Sequence, residues 1–145
     1  MIDAHCHLYD EKYADNPEIV ADPQLAAILC AADSATVFDK CADIADAFFN
    51  VYFTVGVHPH NAENSFDKLT LIDQFLNREK CVGIGEIGLD YYYEYCSKAE
   101  QLKVFERQLQ IAEDSGKIAV VHSRGAEKEV FEIIRHISKI NLLLH

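Results

Sequence analysis

The chain is predicted to be an α/β protein, a TIM-like β/α barrel represented by about six strands. Three observations lead there. Short apolar runs alternate with longer amphipathic segments, which is the pattern of βα units rather than of a sandwich or a helical bundle. Histidines and a glutamate recur at the ends of those apolar runs, the rim where such barrels place their chemistry. The length of 145 residues, half of them apolar, suits one hydrophobic core. A complete eight-stranded barrel needs about 200 residues or more. Residues 1–145 are therefore expected to form a single, C-terminally truncated domain, either a fragment or a sheet whose open edges recruit a partner or self-associate.

The strands are predicted at Ile2–His5, Leu25–Ala31, Val51–Val57, Cys81–Glu86, Ile118–His122 and Asn141–Leu144. Ser34–Phe48 carries Val37, Cys41, Ile44, Ala45 and Phe48 at helical spacing behind a Ser34 N-cap. Ser65–Leu76 repeats the pattern with Leu69, Ile72, Phe75 and Leu76. Ser97–Asp114 does so with Leu102, Phe105, Leu109 and Ala112, and Gly116 stops it. A last helix is predicted over Ala126–Ile137, with His136 on its solvated face. Tyr9–Pro23 holds two prolines and little periodicity, so a loop with one short helical turn is expected there.

Charge narrows the function. A formal net charge of -11 argues against a broad basic surface for nucleic acid, so any such substrate must be gripped locally, with bound cations supplying the charge. Five cysteines at odd count, several within apolar stretches, read as buried reduced thiols. Neither a leader nor a membrane-spanning run is recognisable, which gives a soluble, cytoplasmic expectation.

The candidate chemistry lies at the strand ends. In Asp3-Ala4-His5-Cys6-His7, alternation along a strand sends His5 and His7 to one face and Cys6 to the other. Two imidazoles on one face can chelate a metal, although an HxH also fits ordinary surface or core histidines. Glu86 ends an apolar strand between glycines that permit close approach, and its alternative is a surface acid in a turn. His122 ends another strand, with Arg124 just beyond it. Arg124 can clamp an anionic substrate oxygen or form a salt bridge at a helix start. His145 follows the last apolar run. His58 and His60 flank Pro59 after the third strand, His58 suiting a substrate contact better than ligation and His60 fitting either a substrate or metal contact or a structural turn. GIGEIG approximates the dinucleotide fingerprint, but its central glutamate would face the pyrophosphate, so that cofactor is discounted. Together the histidines and the glutamate suit one or two divalent ions such as zinc or manganese, held close enough to activate a water between them.

Read together, MIDAHCHL, GVHPHNA, GEIGLDYYY, QLKVFERQLQIAEDSGKIAVVHSR and LLLH closely resemble, in order and spacing, the TatD family of metal-dependent deoxyribonucleases. The resemblance spans essentially the whole chain, with the segment from Asp15 to Asn50 matched only loosely. It implies a β/α barrel and 3′ to 5′ exonuclease activity on single-stranded DNA ends, dependent on magnesium, manganese or zinc. By the same resemblance His5 and His7 bind one metal, Glu86 bridges to a second, and His122 with His145 completes that second site. Arg124 and His58 then orient the phosphate, and Tyr91, Tyr92 and Tyr93 stack on bases or simply pack. The family's late aspartate, a ligand of the first metal, lies beyond His145, which implies weak or absent activity for residues 1–145 alone. A related hydrolase of small esters, amides or phosphates, or an inactive binding module, is the alternative.

Overall fold

The computed structural model describes residues 1–14, 19–20, 22–137 and 139–145. Six strands run in parallel, in sequence order, as one curled sheet: β1 (Ile2–Cys6), β2 (Ala27–Ala31), β3 (Val51–Val55), β4 (Cys81–Asp90), β5 (Ile118–Arg124) and β6 (Leu142–Leu144). This is the sheet of a half-barrel. Parallel connections require crossovers, and α2 (Phe38–Ala47), α3 (Lys98–Ser115) and α4 (Glu127–Ile134) supply three of them. A single helical turn, α1 (Glu11–Ala14), stands in the first connection, as expected. The part of that expectation that falls on residues 15–18 and 21 lies outside the described residues.

The central strands are mostly apolar because helices cover one side and the curled sheet fills the other. Phe53, Val55, Ile84, Ile87, Leu89 and Val121 from the sheet join Phe38, Cys41, Ile72, Phe105 and Leu109 in one buried cluster. All five cysteines are unpaired thiols, and Cys30 and Cys41 are fully buried. No helix among the described residues is long and apolar enough to cross a membrane.

Three helical segments differ from expectation for identifiable reasons. Ser65–Leu76 is not an α-helix: Phe66–Gln74 is 3-10, and Phe66, Leu69, Ile72 and Phe75 face the core at intervals of three, the period of that tighter helix. Ser34 does not cap α2; its hydroxyl pairs with Thr36 Oγ1 at 2.9 Å, and a 3-10 turn over Ala35–Val37 precedes the helix. The last helix ends at Ile134, so His136 lies exposed beyond it rather than within it. The ends of the third helix are well capped, with Gly116 stopping it as expected. Ser97 caps α3 through the backbone N–H of Glu100, and Gly116 ends it in the left-handed conformation at φ 66°.

Two buried glutamines dock α3 onto the rim of the sheet. Gln108 accepts from the backbone N–H of Val57 at 2.7 Å and donates to the Val57 carbonyl at 3.0 Å. Gln101 does the same for Asp90, at 2.8 and 3.0 Å. Each amide thus imitates a neighbouring strand where regular pairing has ended. Replacing Gln108 by leucine leaves a buried N–H and C=O without partners, and should lower the unfolding free energy by about 3 kcal/mol. A urea unfolding curve of Gln108→Leu checks this: an unchanged midpoint would show that water or another group satisfies Val57.

Candidate metal centre

The curl of the sheet brings the strand ends together around one carboxylate. Glu86 sits mid-way along β4 and is 3% exposed. Its Oε2 lies 3.1 Å from His5 Nε2 and 3.6 Å from His7 Nε2, while Oε1 lies 3.0 Å from His122 Nδ1, 3.3 Å from His145 Nδ1 and 3.8 Å from His58 Nε2. Five imidazoles from four segments thus surround it. Burial alone would raise the Glu86 pKa, but the His122 hydrogen bond and the nearness of His5 and His58 hold the carboxyl well below the usual range. The Gly85–Glu86 peptide bond is cis.

Which nitrogen each imidazole offers follows from the partner of the other. His7 Nδ1 donates to the Ala31 carbonyl at 2.8 Å, leaving Nε2 free to face Glu86 with its lone pair. His58 is the opposite case. Its Nδ1 accepts from the backbone N–H of His60 at 3.1 Å, so the proton of the neutral ring resides on Nε2, the atom that faces Glu86. Burial pushes the His58 pKa down to about 3, which keeps that ring neutral. His58 is therefore dressed as a hydrogen-bond donor, although His58, Glu86 and His122 lie close enough to form a ligand triad.

His5 supplies the test of whether a cation fits. Both of its ring nitrogens are buried without a hydrogen-bond partner among the described residues, because the 3.1 Å approach to Glu86 lacks hydrogen-bond geometry. A buried imidazole without partners is costly unless something else binds it. His5, His7 and Glu86 offer one ligand atom each within 4.8 Å of one another. Imidazole and carboxylate together suit a borderline divalent cation. The arrangement fits such an ion.

The expected placement of Cys6 opposite the histidines holds: its Sγ reaches the Leu29 carbonyl at 3.4 Å, and burial drives the thiol pKa up to about 12. His145 is brought to the cluster by β6, where its backbone N–H bonds the Val121 carbonyl, and its ring stacks on His5 at 3.9 Å. Burial and the proximity of His5 lower its pKa. Arg124 lies outside the Glu86 cluster, its guanidinium 4.5 Å over Tyr92 and 4.6 Å over Tyr93.

One residue of the site was missed from sequence. β4 continues past Glu86 to Asp90, whose carboxylate is buried; Oδ2 accepts from His60 Nε2 at 2.7 Å and His122 Nε2 at 3.1 Å. Residues 86, 88 and 90 share one face of a strand, and that period was the available signal. Asp90 is a positioning residue. It fixes the His122 ring so that, once its Nδ1 is deprotonated, that lone pair points at the Glu86 side. Burial opposes ionisation of Asp90, but the Tyr93 backbone N–H and the two histidines bring its pKa down to about 2. Its contribution to stability is then complete above its ordinary 3.8 and lost as pH falls through about 2. Burial opposes protonation of His122, but Glu86 and Asp90 raise its pKa. The stability difference between wild type and Asp90→Asn should therefore grow as His122 takes up its proton and then shrink as pH falls from 3.8 through about 2; a difference that keeps growing through that last window contradicts the assignment.

A family model described as TatD related DNase matches residues 2–145. The uncharacterized metal-dependent hydrolase YcfH of Escherichia coli K12 is 31% identical over 142 residues, covering 93% of this chain and 53% of that protein. The human 3′-5′ RNA nuclease TATDN2 is 38% identical over 98 residues, covering 66% of this chain and 13% of that protein. Among solved structures, YJJV, a TatD homologue from Escherichia coli K12, superposes with a TM-score of 0.85 at 26% identity, covering 94% of this chain and 55% of that one. A TatD-family hydrolase from Entamoeba histolytica shares the fold, with a TM-score of 0.77 at 24% identity over 94% and 54% of the two chains. The chain spans about half the length of the curated relatives it matches. The ordered motifs, the half-barrel and the imidazole-ringed glutamate agree with these likenesses: this chain belongs to the TatD-related DNase family.

Proposed function

We propose that this chain is a metal-dependent hydrolase that cleaves phosphodiester bonds at the ends of nucleic-acid strands, with residues 1–145 acting as one barrel domain. The observation that carries the reading is the convergence of five histidines on buried Glu86, with the His5 ring nitrogens lacking a hydrogen-bond partner among the described residues. His5 and His7 would hold one divalent cation, His122 and His145 a second, and Glu86 would reach both; zinc, manganese or magnesium are the candidates. Bound cations would supply Lewis acidity and a water of lowered pKa.

The remaining residues manage the substrate. His58 presents Nε2–H to the cluster and can donate to a non-bridging phosphate oxygen, where the charge of the transition state accumulates. Arg124 offers a second donor, this one cationic, at the end of β5. The net charge of -11 favours capture of a strand end over a long duplex footprint. The names of TATDN2 and of the matched family model support a nucleic-acid substrate.

The experiment compares single-stranded DNA, single-stranded RNA and small aryl esters as substrates of the purified chain with each cation and with chelator. Cation-stimulated release of mononucleotides from 3′ ends is expected, at no more than the weak level that the family resemblance implies for residues 1–145 alone. Turnover of the esters alone would replace the nuclease reading, and failure to bind any of the cations by calorimetry would remove the hydrolase reading.

A further inference from the structure

Beside the cation cluster lies an aromatic surface that the hydrolytic chemistry does not use. Tyr92, Tyr93 and Tyr95 follow β4 and are 67%, 45% and 66% exposed. Such exposure of three large rings in one short turn wastes apolar area unless something covers it. Tyr91 does not belong to the group. It is half-buried and packed under Lys98 Nζ at 4.4 Å, which fits the packing alternative for that residue.

The exposed rings are ordered. Tyr93 and Tyr95 are parallel to within 1°, with centroids 5.5 Å apart. A base inserted between two rings needs roughly 7 Å, twice the contact distance of about 3.5 Å, so this pair offers its outer face rather than a slot. Tyr92 stands at 90° to Tyr93, and the Arg124 guanidinium covers both rings at 4.5 and 4.6 Å. His60 meets Tyr95 edge-on at 4.7 Å.

The same carboxylate fixes this surface and the cluster. Asp90 Oδ1 accepts from the backbone N–H groups of Tyr92 and Tyr93, each at 3.0 Å, while Oδ2 holds His60 and His122. His60 is therefore wedged between the rings and Asp90, and His122 connects Asp90 to Glu86 at 3.0 Å. The tyrosine turn is registered to the cation cluster through a single rigid group.

We propose that Tyr92, Tyr93 and Tyr95, with Arg124, form a nucleobase-stacking platform that holds a single strand so that its terminal phosphodiester reaches the Glu86 cluster. The inference rests on the nuclease reading above and adds a subsite to it. Every base presents a π-face, so the platform accepts any sequence, while Arg124 pairs with the backbone phosphate between stacked bases. A cationic donor among aromatic rings also offsets the repulsion a -11 chain exerts on a polyanion.

The chain contains no tryptophan and seven tyrosines, three of them in the platform, so quenching that is lost in the platform variants reports stacking there. In low salt with zinc present, oligo(dT) with cleavage-resistant phosphorothioate linkages and an abasic strand of the same linkages and equal length are titrated into the whole chain and its Tyr93→Ala, Tyr95→Ala and Tyr95→Phe variants. Oligo(dT) should quench the emission and bind about tenfold more tightly than the abasic strand. Either alanine variant should lose that preference, and Tyr95→Phe should keep it. Equal affinity for both strands, an alanine variant that retains the preference, or no binding of oligo(dT) overturns the platform. Calorimetric cation binding, measured separately on the same proteins, tells a failed platform from a failed cation site: only the latter undermines the hydrolase reading.

Discussion

Glu86→Gln should weaken binding of zinc or manganese by more than about 100-fold while leaving the chain folded. Loss of a supporting partner one shell out from a metal already costs about 10- to 100-fold, and Glu86 touches the ion directly in the arrangement proposed. Gln keeps the volume but removes the charge and turns an NH2 group toward an imidazole. The five rings at 3.0 to 3.8 Å then have no anion between them to share cations. Calorimetric titration measures the effect, and thermal unfolding gives an independent readout, since a cation that binds only the native state raises the midpoint of the wild type. An unchanged affinity in Glu86→Gln would place the cation elsewhere.

Gly88→Ala is expected to destabilise the fold by about 4 kcal/mol, combining overpacking with a backbone conformation that alanine rarely adopts. Gly88 has φ 140°, and a Cβ there would stand 2.0 Å from the His122 carbonyl oxygen and 2.9 Å from its carbon. Both are backbone atoms of the paired strand, where Gly88 is opposite His122 in register. They cannot rotate aside. β5 must shift, and His122 moves with it away from Glu86, so any folded variant should also bind cations more weakly. Chemical unfolding measures the first effect and calorimetry the second. A variant within about 1 kcal/mol of wild type would mean that β4 and β5 are not so closely apposed there.

Most of the strand set was legible because apolar runs bounded by polar residues are a local signal, and the same runs carry the histidines at their ends. The β4 boundary was misplaced at Glu86 because glycine at 85 and 88 resembles a turn. In the structure the extended chain continues to Asp90, with glycine permitting close approach to β5. Gln101 and Gln108 escaped notice for a different reason. They fall on the buried face of α3 among Val104, Phe105 and Leu109, where a polar residue contradicts the apolar pattern unless its partner, a rim carbonyl and N–H distant in sequence, is known.

Sequence by itself determined the parallel α/β class, the family resemblance and most of the candidate site residues, because periodicity and motif spacing are properties of short stretches. Tertiary structure alone decided that five imidazoles surround one buried carboxylate, that His58 is protonated on the nitrogen facing it, and that Asp90 ties His60, His122 and the tyrosine turn together. Those facts depend on the curl of the sheet and on hydrogen bonds between segments up to 36 residues apart, as between Glu86 and His122, which no local pattern encodes.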